Sequence, residues 1–143
     1  MPRFQTIWDV TPETAHPRAR ELLAGSVVWN YGDEDSPLGT DTGADTFADY
    51  MKFHQAKPDG RIQEFISDQL DKRFDVLIRD DFIIGLAFAQ ILLEGRVDPE
   101  VKHYAIFALH RQAMDAMLAF RGGGAEQESK RQFAEFRRIL ELV

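Results

Sequence analysis

The 143 residues include no cysteine, so this chain has neither a disulfide nor a thiolate metal site nor a cysteine nucleophile. Long apolar runs are missing as well. The longest, Phe82 to Leu93, is interrupted by Gly85 and Gln90 and is far shorter than the ~20 residues a membrane-spanning helix needs. Positive charge is in deficit: 17 Lys and Arg stand against 24 Asp and Glu, a formal net charge of −7. A nucleic-acid partner usually demands a basic face to neutralise phosphates. Nucleic acid and membrane are therefore set aside as partners. Met1-Pro2-Arg3-Phe4-Gln5 lacks the charged and apolar regions of a secretory signal, which makes a cytoplasmic address the expectation. There is no internal repeat, low-complexity tract or dividing linker, so residues 1–143 are expected to form one helical domain. A chain of this length buries about 68–70% of its unfolded surface and needs no staple.

What is present reads as helix. Thr11-Pro12-Glu13 supplies an N-cap, a proline at the first helical position and an acid in the first turn. A short helix should run from there to about Leu23, weakened by Pro17 and ended near Gly25. Residues 26–31, Ser-Val-Val-Trp-Asn-Tyr, suggest a short strand or a buried extended connection. Turn formers then dominate residues 30–41. Thr42-Gly43-Ala44-Asp45 matches a capping box, ahead of a helix with Phe47, Tyr50, Met51 and His54 on one side. Pro58-Asp59-Gly60 breaks it. The next helix, about 60–74, presents Ile62, Phe65, Ile66, Gln69, Leu70 and Phe74. Asp80 or Asp81 should cap a helix over 82–94 in which ten of thirteen residues are apolar, a central helix covered on nearly every side. Gly95 stops it, and Asp98-Pro99-Glu100 opens another that should reach Phe120 or Arg121. Beyond the break at Gly122-Gly123-Gly124, Phe133, Phe136, Leu140 and Val143 mark the inner stripe of a terminal helix. The expected fold is an all-α, single-domain bundle of about five to six helices.

Three strings invite a chemical reading. Asp41-Thr42-Gly43-Ala44-Asp45-Thr46, with Ile83-Ile84-Gly85 further on, resembles the paired elements of retroviral-type aspartic proteases. That chemistry needs two aspartates at the base of a β-sheet cleft, whereas the helical period after Asp45 points to a helix start. The second string is Glu-x-x-His, found as Glu13 with His16 and as Glu100 with His103. Di-iron bundles use two such pairs plus two further glutamates aimed into the bundle centre, for which Glu64 and Glu94 are the nominal candidates. Both pairs lie in first turns, and Pro17 disfavours helical geometry at His16. His103 and His110 share a helix face, but about 10.5 Å of axial rise separates them, too far for one ion. They read as a half-buried or interface pair beside Phe107 and Met114.

The third is the charge layout. Between Arg20 and Lys52 there is no Lys or Arg, while Glu21, Asp33, Glu34, Asp35, Asp41, Asp45 and Asp49 supply seven acids. An EF-hand register from Asp33 fails, with Leu38 where glycine belongs and Ala44 where the bidentate glutamate belongs. The segment reads either as a solvated acidic loop that favours solubility or as a docking surface for a basic partner, the latter with Trp29, Tyr31, Asp33, Glu34, Asp35 and Asp41 as contact residues, although burial in the core is an equally good use of Trp29.

Pro37 to Phe47 and the alanine-rich stretch Gly85-Leu86-Ala87-Phe88-Ala89-Gln90-Ile91-Leu92 together resemble a family of small, uncharacterised bacterial helical proteins. Their signature is an N-terminal tryptophan, a Gly-x-Asp-x-Ala-x-Asp string and a later alanine-rich helix. Trp8, Gly39, Asp41 and Asp45 are the matching positions, and Gly43 and Ala44 depart from the spacing around the family's alanine. The resemblance implies an α-helical fold and carries no activity.

The expected function is a non-enzymatic interaction module that engages a protein partner through the acidic segment, with Trp8 and Trp29 at hand, and uses no cofactor. The alternative is a metal-dependent hydrolase or oxidase built on Glu100 and His103, with Glu13 and His16 as the second pair. Self-association through His103, Phe107, His110 and Met114 is a third expectation.

Overall fold

Among the described residues six helices carry the architecture: α1 Pro17–Leu22, α2 Asp41–Ala56, α3 Ile62–Leu70, α4 Val76–Glu94, α5 Pro99–Gln112 and α6 Glu126–Leu142. Single 3-10 turns at Ile7–Asp9 and Val27–Trp29 precede α1 and α2. The computed structural model describes residues 4–72, 75–114, 117 and 126–143. The fold is an all-α bundle, with no strand among the described residues. No helix among them is long and apolar enough to cross a membrane.

The central helix is α4, as its apolar composition requires: every residue from Phe82 to Leu93 is buried. Helices α2 and α5 cover it along most of its length, and α6 packs on α5. Phe47, Phe82, Phe88 and Phe136 are among the largest fully enclosed side chains. Phe88 meets Phe136 edge-on at 5.6 Å, tying α4 to α6. Each such ring contributes about 1.5–3 kcal/mol by leaving water.

Several helix boundaries differ from the sequence expectation, each for an identifiable reason. Helix α4 begins five residues before Asp80, at the N-cap Asp75, whose carboxylate accepts from the N–H groups of Leu77 (2.8 Å) and Ile78 (3.4 Å). Asp80 is inside the helix and buried, because a partner on α5 satisfies it. Helix α2 is capped by Thr40 and not by Thr42: the Thr40 hydroxyl accepts from Gly43 N–H at 2.9 Å. Thr42 sits in the first turn, where its carbonyl accepts from the Thr46 hydroxyl at 2.7 Å.

Helix α1 starts at Pro17, the residue expected to weaken it, with the His16 imidazole accepting from Arg18 N–H at 3.1 Å. Proline at the first helical position loses nothing, since its N–H would be unpaired there anyway. Thr11 to Thr14 form a separate turn. Residues 26–31, expected as a strand or extended connection, hold the Val27–Trp29 turn, capped by the Ser26 hydroxyl. Helix α3 stops at Leu70 and α5 at Gln112, short of the ends expected at 74 and 120. Phe74, Phe120, Arg121 and Gly122 to Gly124 lie outside the described residues.

Two glycines allow a close helix contact. A Cβ built on Gly85 would stand 3.0 Å from the Cα of Gly43, so α2 crosses α4 at a spacing that larger residues exclude. Gly95 ends α4 with φ of 70°, a left-handed conformation suited to glycine. The His16 ring packs over it, 2.3 Å from where a Cβ would be.

Candidate functional site

Helix periodicity places Arg79, Asp80 and Ile83 on one face of α4 and Glu100, His103, Tyr104, Phe107 and Arg111 on one face of α5. The two faces and the end of α3 enclose a recess of about 500 Å³ with Ile66, Leu70 and Ile83 on its floor. Tyr104 and Phe107 stand at its rim, 50% and 59% exposed. The His103 ring lies edge-on to both, at 5.7 Å from Tyr104 and 5.0 Å from Phe107. Helix α5 cannot turn these rings inward, because its opposite face already buries Val101, Ala105, Ala108 and Leu109 in the core.

The two ends of the recess differ in charge. At one end Arg111 grips Asp80 with both arms, Nε to Oδ2 at 2.8 Å and Nη2 to Oδ1 at 2.6 Å. The buried Gln112 amide donates to the same carboxylate at 2.6 Å. The hydrogen bond to Asp80 holds the Arg111 guanidinium above its ordinary pKa. At the other end the Glu100 carboxylate accepts from Gln63 at 2.6 Å. Arg79, Asp80, Glu100 and Arg111 sum to zero charge in a chain of net charge −7.

A second polar cluster closes the α4–α5 corner. Tyr50 donates to Glu94 at 2.6 Å, and the Gln90 amide donates to Asp98 at 2.7 Å and to the Tyr50 oxygen at 3.2 Å. Arg96 joins Glu94 (3.3 Å) to Asp98 (3.0 Å). Burial, reinforced by the bond to Glu94, pushes the Tyr50 phenol well above its ordinary pKa. A phenol so held is a donor near neutral pH and supplies no base. The members satisfy one another, which fits a clamp on the turn between α4 and α5.

The acidic segment is held by hydrogen bonds to the rest of the chain. The Trp29 indole donates to Leu23 O at 2.8 Å, and Tyr31, buried, donates its hydroxyl to Val10 O at 2.7 Å. Burial raises the Tyr31 phenol above its usual range. Asp33 accepts from Asp35 N–H at 2.9 Å, and Asp35 accepts from the Ser129 hydroxyl of α6 at 2.7 Å. Four of the six residues expected to meet a partner, Trp29, Tyr31, Asp33 and Asp35, thus serve the loop's own scaffold. Glu34 and Asp41 are exposed and line a recess of about 270 Å³. The surface aromatic nearby is Trp8, 67% exposed and edge-on to Tyr31 at 5.7 Å.

The two Glu-x-x-His pairs stay apart. His16 caps α1 against Gly95, and the carboxyl of the exposed Glu13 is held below its ordinary pKa by its own backbone N–H and the Thr11 hydroxyl. Glu100 and His103 belong to the α5 recess. Glu64 lies near Lys57 at 3.8 Å, and Glu94 is taken by Tyr50 and Arg96. Among the described residues no three His, Asp or Glu gather closely enough to hold a metal ion. His103 and His110 also divide, since His110 borders a different recess, beside Arg137 of α6 at 3.3 Å.

Sequence reasoning named Asp80 only as a cap and Ile66 and Leu70 only as a helix stripe, and it missed Arg111 and Gln112 altogether. The one available signal was an acid at position 80, on the helical stripe that includes Val76 and Ile83. No family model, curated protein or solved structure matches this chain.

Proposed function

We propose that this protein is a non-enzymatic interaction module whose recess between α3, α4 and α5 receives the apolar face of a helix from a protein partner. The observation that carries this is the pair Tyr104 and Phe107, both at least half exposed on the rim of an apolar-floored recess. Large aromatic side chains beside such a concavity are the usual anchors of protein interfaces. A recess flanked by helices accommodates a helix with apolar residues at i, i+4 and i+7. Its zero net charge favours an apolar occupant over a basic one. The acidic segment supports partner docking less well, because its two central aromatics are engaged internally. The likeness carried by Trp8, Gly39, Asp41 and Asp45 belongs to the proposal for the fold alone.

A library of helix-constrained peptides screened against the protein tests the reading. The expected binders carry apolar residues at i, i+4 and i+7, and Phe107→Glu weakens them at least about tenfold, while Asp41→Lys leaves them unchanged. An empty screen, or binders indifferent to Phe107→Glu, overturns it.

A further inference from the structure

Resting on the recess reading, we infer that the helix it receives is α5 of a second copy of this chain, packed antiparallel about a two-fold axis. The surface residues Glu100, Tyr104, Phe107 and Arg111 follow one another at spacings of four, three and four, the spacing of a helix–helix seam. Their order is acid, aromatic, aromatic, base. It is antisymmetric in charge and symmetric in aromatic character about a point midway between residues 105 and 106.

A two-fold axis through that point sets each residue against the one whose number completes a sum of 211. Tyr104 then meets the second copy's Phe107, and Glu100 meets the second copy's Arg111. Both pairs occur twice, as an isologous contact requires. A parallel arrangement would instead set acid on acid and base on base. The seam from Glu100 to Arg111 spans about 16.5 Å at the helical rise.

Charge argues for the same occupant. Two chains of net charge −7 repel over most of their surfaces. The recess carries two positive and two negative groups and so offers a neutral place to meet. Its ends remain able to pair across the axis. Asp80 takes two of the five guanidinium N–H groups of Arg111, and the Arg111 side chain is 45% exposed. Gln63 bonds one Glu100 oxygen, Oε2. The floor of Ile66, Leu70 and Ile83 then receives the second copy's Phe107 or Tyr104, which gives the two exposed rings an apolar environment.

Sedimentation velocity between about 1 and 500 μM tests this, and a Kd in the micromolar range suits a seam of this length. Tyr104→Glu alone and Phe107→Lys alone should each raise the dimer Kd at least about tenfold. Both sites are exposed, and circular dichroism checks that each variant keeps its helix content. Combining the two substitutions in one chain places opposite introduced charges face to face in both halves of the contact, and should recover at least about threefold of the loss. Mixing the two single variants should give a mixed dimer at concentrations where each alone is monomeric.

A wild-type chain that stays monomeric throughout overturns the inference. If Phe107-dependent library helices still bind that monomer, the recess reading stands without it. A dimer that ignores Phe107→Lys, or one in which the combined variant shows no recovery, also overturns the two-fold seam.

Discussion

Gly43→Ala sets two physical effects against each other, and their sizes decide the sign. In an ordinary helix interior the change stabilises by about 1 kcal/mol, because alanine loses less backbone entropy than glycine. Here the new methyl would stand 2.1 Å from the carbonyl oxygen of Pro37 and 2.9 Å from the Thr40 hydroxyl. The Pro37 oxygen is backbone and cannot swing away, and its flanking residues Ser36 and Leu38 are buried. Relief therefore requires α2 and the 36–40 loop to separate. Such overpacking costs about 1–3 kcal/mol. The Thr40 hydroxyl caps α2 through Gly43 N–H at 2.9 Å, so the same separation removes a cap of about 1 kcal/mol. The net effect is a loss of about 1–3 kcal/mol, or roughly 3–10 °C in Tm. Urea and thermal unfolding followed by circular dichroism measure it. Gly32→Ala, whose Cβ would meet only one side-chain oxygen at 3.6 Å, serves as the near-neutral control. If Gly43→Ala matches or exceeds wild type, α2 does not sit on the 36–40 loop as closely as described and the reasoning fails.

Two further outcomes follow from the buried polar groups. Asp80→Ala removes an acceptor shared by Arg111 and the fully buried Gln112; because Arg111 is partly in water, the expected loss is set mainly by Gln112, about 1–3 kcal/mol in urea unfolding, and a change under about 0.5 kcal/mol contradicts the assigned network. The phenols of Tyr31 and Tyr50 are raised above the ordinary value of 10.0, so above about pH 10 the unfolded chain loses protons that the folded chain keeps. Their contribution is complete below that pH and is lost as pH rises past it, by up to roughly 1.4 kcal/mol per pH unit for each ring. Urea midpoints at pH 9, 10 and 11 should fall in that order, less steeply in Tyr50→Phe, and a flat profile would refute the burial of both rings.

The helical class was legible because periodicity and breakers agree over most of the chain. The boundaries were decided by contacts that no local pattern carries. Pro12 and Pro17 can each begin a helix; the chain uses Pro17, where His16 N–H donates to Leu92 O at 2.9 Å, an acceptor 76 residues away. Asp80 looks like a cap until Arg111 and Gln112 arrive from α5, 31 and 32 residues later. Thr40 and Thr42 offer equivalent hydroxyls, and the contact of Gly43 with Pro37 and Gly85 goes with the earlier one. The recess was visible in part in the sequence, residues 100 and 103 under a metal-ligand spacing and residue 107 within a self-association face. Its floor comes from α3 and α4, so nothing local in the α5 sequence announces an apolar concavity beside those side chains.

The protease-like strings acquire a different meaning from the same geometry. Gly43 and Gly85 do meet, 42 residues apart in sequence, but as the contact point of two helices and not beneath a catalytic carboxylate. With α2 seated that closely, the 36–38 loop is buried, Tyr31 is enclosed and Trp29 is half-buried. The chain thereby covers one side of α4 with its own residues. On the α5 side nothing equivalent occurs among the described residues: the outward face of α5 has apolar neighbours below it and two aromatic rings in water above it. Tyr104 and Phe107 are about half exposed, so leaving them there forgoes roughly 1–2 kcal/mol for each ring that full burial would return. The contrast between the apolar surface enclosed around α4 and these two rings left half in water is what the proposed helix contact rests on.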